Sequence, residues 1–153
     1  MFLILNKSET PLKLVYQLKE DLRDNPEPMI KAQQLTQDNS KPFGLKGACG
    51  LYGSDEWWES IKDGKLPTKH IFGIINKLYV SGQEETSRAN TVELLLGDGT
   101  SHHESILVNN NDDYQLFRVG RELHLFYVYD ELKGESLFDV GHLDILLEVA
   151  VAK

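Results

Sequence analysis

The densest group of side chains that could bind a metal is His102-His103-Glu104. Alternate residues of a β-strand share a face, so His102 and Glu104 would point the same way and His103 would point away. Two such ligands could begin a zinc site, which needs three or four, and His124 or His142 would have to supply the next. One hypothesis is therefore a metal-dependent enzyme that uses His102 and Glu104. The alternative is the polar face of an edge strand, and on that interpretation we predict no metal and no cofactor.

Other groups that could take part in catalysis lack a supporting pattern. Cys49 is the only cysteine, and no local signature pairs it with a histidine, so we interpret it as a small packed residue. Four carboxylates near residue 130 could work as an acid and a base, but their spacing defines no distance between them. They are Asp130, Glu131, Glu135 and Asp139. Without a catalytic constellation, we predict that the chain is not an enzyme.

The segment of residues 37–53 is a long loop that contains four glycines between Gly44 and Gly53. It leads into the start of a predicted helix, where backbone N–H groups could hold an anion. The loop lacks the Gly-Lys-Ser/Thr ending of a phosphate-binding loop, and Asp55 and Glu56 would repel a phosphate there. We therefore interpret residues 44–53 as a structural loop.

The adjacent pair Trp57-Trp58 is the feature best suited to binding another protein. Neighbouring side chains on a helix lie about 100° apart, so both rings cannot easily face one core. We expect one tryptophan to dock the helix on the sheet and the other to be partly exposed, as interface anchors often are. Glu56 and Glu59 would give such an interface an acidic rim. The alternative is that both tryptophans pack in the core.

The charge balance argues against several classes of partner. The chain carries 24 acidic and 16 basic side chains, for a net charge of −8. Nucleic acid and anionic membranes are bound by clustered Lys and Arg, so we predict neither as a partner. The balance suits a basic protein, because opposite fields speed encounter, while simple solubility is the alternative explanation.

Cysteine content and hydrophobic pattern indicate the compartment. One cysteine cannot close an intrachain disulfide, which fits a reducing environment. The apolar residues 2–5 are too few for a signal peptide, and no apolar run approaches the roughly 18 residues of a membrane span. We expect a cytoplasmic protein with no membrane segment.

The elements that must position these residues differ between the two parts of the chain. Within residues 1–66, the sequence pattern predicts a short strand, three helices and the long loop. The strand is expected at residues 1–5, the helices at residues 11–25, at residues 29–35 and, with Ser54 as N-cap, at residues 55–63.

After Pro67 the pattern is typical of strands. Residues 70–80 are apolar on both faces, which predicts a central strand or one that is covered on both sides. Alternating strands follow at residues 91–96, 102–108, 122–130 and 143–151, with a hairpin turn at Gly97-Asp98-Gly99 and a polar loop at residues 109–113.

Together the pattern predicts a single α+β domain over residues 1–153. Its main feature would be an antiparallel curled sheet or a small five-stranded barrel, OB-like or SH3-like by element order, with two or three short helices in the N-terminal half. Residues 67–153 would form an antiparallel meander. Strands with two apolar faces can hide an interface, so a homodimer stays an open alternative.

The leading functional hypothesis is a non-enzymatic intracellular binding domain with an acidic, aromatic surface. An inhibitor or immunity-type protein for a basic partner would have these properties. A second hypothesis is a β-barrel for a small ligand or oligosaccharide, with a pocket lined by Tyr79, Tyr127 or Tyr129. The metal-dependent enzyme is the third.

Overall fold

The computed structural model of the chain describes residues 1–82, 88–134 and 141–153. Within these ranges, short helices come first and strands dominate the rest. The elements are β1 (Leu12–Gln17), α1 (Leu18–Asp24), α2 (Glu27–Gln37), α3 (Asp55–Lys62), β2 (Thr68–Tyr79), β3 (Thr91–Leu95), β4 (Ser101–Ser105), β5 (Glu122–Glu131) and β6 (His142–Ala152). Short 3-10 helices occupy Leu5–Lys7 and Asn111–Leu116. No helix in the described ranges has the length and hydrophobicity to span a bilayer.

Six strands form one sheet in the order β1-β6-β5-β2-β3-β4, and its described strand pairings are antiparallel. This confirms the predicted α+β fold with an antiparallel curled sheet. Strands β1 and β4 are the two edges, so the sheet is not a closed barrel and the five-stranded barrel alternative is wrong. Strand β5 pairs with β2 instead of β4, so the order also departs from a simple meander.

Strand β2 is central, as its apolar pattern predicted, because it lies between β5 and β3. One of its faces is nevertheless open. Phe72 is 56% exposed and Ile74 is 45% exposed, whereas Ile75 is fully buried. A central position gives a strand two backbone partners, but it does not require that both faces be covered.

The predicted strand at residues 1–5 is wrong, because the backbone there pairs with a side chain and not with another strand. The carboxylate of Glu148 accepts hydrogen bonds from the backbone N–H groups of Phe2 and Leu3 at 2.8 Å each. The predicted helix over residues 11–25 is only half correct. Pairing of β1 with β6 draws Leu12–Gln17 into the sheet, and the helix keeps only Leu18–Asp24, ending before Pro26 as expected.

Three other local predictions, the second helix, the start of the third helix and the hairpin turn, are confirmed. Helix α2 covers the predicted second helix, and α3 begins after Ser54, whose hydroxyl accepts the backbone N–H of Trp57 at 3.2 Å. The turn between β3 and β4 contains Gly99 at a φ of 86°, a conformation that glycine adopts readily. Residues 109–113 are not a simple loop, because the second 3-10 helix begins within them.

The described residues pack as two compact units. The first unit takes residues from Met1–Gln17, His70–Phe126 and Glu148–Lys153, and the second from Leu18–Lys69 and Tyr127–Leu147. Each has its own buried apolar side chains. Those of the first include Val92, Leu94, Leu123, Leu125 and Val149, and those of the second include Leu22, Trp57, Ile61, Leu66 and Leu147.

Candidate functional site

A groove of about 590 Å³ opens on the first unit. Its walls come from the N-terminal segment and from strands β2 and β5. The lining residues are Phe2, Leu3, Ile4, Ser8, Glu9, Thr10, His70, Phe72, Glu122, His124 and Phe126.

Strand periodicity explains how β5 supplies three of these side chains. Residues two apart on a strand share a face, so Glu122, His124 and Phe126 line the groove while Leu123 and Leu125 are buried. Strand β2 adds His70 and Phe72 in the same way. Because β2 and β5 are neighbours in the sheet, the two sets of side chains meet.

A chain of hydrogen bonds joins two histidines to a carboxylate in the groove. His124 Nε2 lies 2.7 Å from Glu122 Oε1, and His124 Nδ1 lies 2.8 Å from His70 Nε2. An ionised carboxylate can only accept, so Nε2 of His124 carries a proton and donates to Glu122. In the contact between the two rings, one imidazole nitrogen donates and the other accepts.

The same contacts determine the charges in the groove. The hydrogen bond from His124 is the main reason that the pKa of Glu122 lies below its ordinary value, and hydrogen bonds from Ser8 and Thr10 lower it further. Burial, followed by the proximity of His124, lowers the pKa of His70. Near neutral pH, Glu122 is thus an anion and His70 is neutral.

Three phenylalanines, Phe2, Phe72 and Phe126, contribute aromatic rings to the remaining lining. Phe72 stacks on His124, with ring centroids 5.2 Å apart and planes 10° apart. Phe2 stacks on Phe126 at 5.3 Å and 8°. Phe72 and Ile4 are both exposed. The groove therefore combines accessible apolar surface with the carboxylates of Glu9 and Glu122, and no Lys or Arg is among the described side chains of its lining.

The tryptophans singled out in the sequence lie on α3 in the second unit. Trp57 has no exposed surface, and its Nε1–H donates to Asp130 Oδ2 at 2.9 Å. Trp58 is partly buried, with Lys19 Nζ 5.8 Å from its ring centroid. The expected division, one tryptophan in the core and the other partly exposed, is the one observed. Glu56 and Glu59 are exposed on the same helix.

The structure does not complete a metal site around His102 and Glu104. Within the described ranges, no three His, Cys, Asp or Glu side chains are grouped so as to hold a metal ion. Strand β4 pairs only with β3 at the sheet edge. His124, one of the two suggested third ligands, instead bonds to His70 and Glu122 in the groove, and the other, His142, lies near Asp144.

None of the three tyrosines suggested for a ligand pocket lines this groove. The Tyr79 hydroxyl bonds to His103 at 2.8 Å, Tyr127 is buried, and Tyr129 packs on His142 with ring centroids 4.9 Å apart. Cys49 is a partly buried free thiol. Among the four carboxylates near residue 130, Glu135 and Asp139 lie outside the described residues.

The groove itself was missed from the sequence. Alternation does place Glu122, His124 and Phe126 on one face of a strand, and it places His70 and Phe72 on one face of another. The missing information was that β2 lies beside β5, with two strands between them in the chain. Sequential strands usually pair, so the sequence favoured β4 as the neighbour of β5.

Comparison with known protein families defines the class of protein. Residues 12–152, nearly the whole chain, match the model of a family of immunity proteins. The family is described as Immunity protein RhsI2, and the chain belongs to it. No match is found among curated proteins. The prediction of an immunity-type protein with a protein partner is confirmed at this level: the partner is a toxin, and family membership favours a non-enzymatic role.

Proposed function

We propose that the chain neutralises its toxin by binding it directly, without catalysing a reaction. The match to the immunity family over residues 12–152 carries this proposal. A direct inhibitor benefits from a rigid surface that complements its target, because ordering mobile residues on binding would cost free energy.

We place one toxin contact on the exposed face of α3. This helix carries three acidic residues, Asp55, Glu56 and Glu59, and one lysine, Lys62. Trp58 lies beside them with part of its surface accessible. An acidic rim around an aromatic side chain suits a basic partner, and the net charge of −8 would steer such a partner toward the chain.

Two hydrogen bonds, one part-buried and one buried, hold α3 in place for that role. The hydroxyl of Ser54 caps the first turn, and the indole N–H of Trp57 is bonded to Asp130. Because Trp57 has no exposed surface, its part in the interface is to position the helix. Trp58, Glu56 and Glu59 are then the side chains that reach the toxin.

Charge reversal on α3 tests this proposal. We expect Glu56→Lys/Glu59→Lys to raise the Kd for the purified toxin on the order of tenfold, mainly through slower association. For the wild type, the association rate should fall as NaCl increases, because exposed charges are screened beyond about 8–10 Å near physiological salt. Stopped-flow or surface plasmon resonance would measure both.

Asp24→Lys/Glu27→Lys is the matched control, since it makes the same change in net charge on α1 and α2, where both residues are exposed. Equal effects of the two double variants would show that α3 is not a contact surface. An association rate that does not change with salt would contradict a basic partner.

A further inference from the structure

We propose that the groove on the first unit receives an arginine side chain of the partner toxin, with the guanidinium over Phe72 and beside Glu122. This inference rests on the proposed function, since the occupant belongs to the bound toxin. The residues that line the groove are different from those of α3.

Charge is the first argument for a cationic occupant. Of the side chains that the structure describes, the lining holds two carboxylates, Glu9 and Glu122, and no Lys or Arg. A cleft lined by one sign of charge concentrates the opposite sign. The same carboxylates repel a phosphate or another anionic ligand.

The exposed ring of Phe72 selects arginine over lysine. Stacking on His124 and a centroid distance of 5.4 Å to His70 hold this ring in position, and 56% of its residue surface is open. A cation within about 6 Å of an aromatic face is attracted to it. Guanidinium is planar and weakly hydrated, so it stacks on rings more readily than the compact ammonium of lysine.

The carboxylate of Glu122 is already oriented for a further donor. It accepts from His124 at 2.7 Å and lies 3.3 Å from the Ser8 hydroxyl, and Thr10 also bonds to it. An ionised carboxylate offers about four acceptor positions, so these three donors leave room for one more N–H. Since the carboxylate is held before binding, the guanidinium would gain a fixed partner without an ordering cost.

The first experiment uses small probes on the full-length protein. Nα-acetyl-arginine amide would be titrated while NMR follows the imidazole signals of His70 and His124. We expect saturable shifts with a Kd in roughly the millimolar range, a weaker response to the lysine analogue, and none to the neutral citrulline analogue. Phe72→Leu should abolish saturation, while Ile74→Leu, an exposed change on the same strand outside the lining, should not.

A second measurement places the groove in the toxin complex. We expect Phe72→Leu to weaken toxin binding by about three- to thirtyfold, the range of a cation–π contact, with Ile74→Leu close to wild type. If the α3 charge reversal weakens binding but Phe72→Leu does not, the groove inference is wrong and the proposed function stands. If the toxin does not bind at all, the proposed function fails, and the arginine titration still decides whether the groove is cation-selective.

Equal responses to arginine and citrulline, or a stronger response to inorganic phosphate, would overturn the inference.

Discussion

At the residue scale, the hydrogen bond from Trp57 to Asp130 partly offsets the free-energy cost of burying the Asp130 carboxyl group in the second unit. Burial raises the pKa of Asp130 above its ordinary value of 3.8, and the hydrogen bond from Trp57 opposes that rise. A carboxyl group with a raised folded pKa stabilises the folded state below its unfolded pKa, and this contribution is lost as the pH rises through the folded pKa. Asp130 therefore contributes less to stability at neutral pH than in acid.

Asp130→Asn should remove that pH dependence, because the amide oxygen can still accept from Trp57 and carries no charge. We expect the difference in the free energy of unfolding, variant minus wild type, to increase as the pH rises above 3.8. Trp57→Phe should instead destabilise the protein by about 1–3 kcal/mol near neutral pH, because the buried carboxylate loses its indole donor and keeps the backbone N–H of Glu131. Urea unfolding at a series of pH values measures both effects, and parallel curves for wild type and Asp130→Asn would contradict the first expectation.

At the element scale, the glycine-rich loop of residues 44–53 is shaped by its contact with α3. Gly50 has a φ of 110°, and a Cβ at this position would lie 2.7 Å from the backbone nitrogen of Trp57. Two separate requirements therefore exclude a larger residue: the left-handed backbone and the close approach to the helix. The loop packs against the start of α3, which agrees with the structural interpretation of its glycines.

Gly64 provides a matched control for this argument, since its φ is 78° and nothing lies within 4 Å of a Cβ built there. Gly64→Ala should cost about 1–2 kcal/mol for the left-handed backbone alone. Gly50→Ala should cost about 1–3 kcal/mol more, because the methyl group also overlaps the helix backbone. Equal losses in the free energy of urea unfolding would show that the loop can move away from α3.

At the scale of the whole molecule, Glu148 joins the two ends of the chain within the first unit. It is 3% exposed, and its carboxylate accepts the backbone N–H groups of Phe2 and Leu3, which are 146 and 145 residues away in sequence. Phe2 in turn stacks on Phe126. These contacts hold the N-terminal wall of the groove against the sheet.

Glu148→Ala should release that wall. We expect a loss of about 1.5–3 kcal/mol, typical of hydrogen bonds to a charged group, and faster hydrogen exchange at the amides of Phe2 and Leu3. Glu148→Gln keeps one acceptor oxygen and should retain most of the protection. Unchanged exchange in Glu148→Ala would mean that the aromatic stack alone holds the segment.

The sequence predicts those features of the site that depend on interactions between residues close together in the chain, and not those that depend on distant residues. The start of α3 follows from Ser54 and the end of α1 from Pro26, because capping and the missing proline N–H act over a few residues. The pair Trp57-Trp58 implied that one ring would be buried, yet the sequence did not show that it would be Trp57, which donates to Asp130. The groove depended on pairing between distant strands and could not be predicted.

The sequence by itself determined the fold class, the local helix and turn boundaries, and the acidic character that fits a protein partner. These properties follow from periodicity, backbone restrictions and composition, all of which are read within a few residues or summed over the chain. Only the tertiary structure showed that β2 lies beside β5 and that Leu12–Gln17 form a strand paired with β6. It also showed the hydrogen bonds from the backbone of residues 2 and 3 to Glu148. Such choices rest on small differences in energy between competing long-range pairings, which a local pattern does not contain.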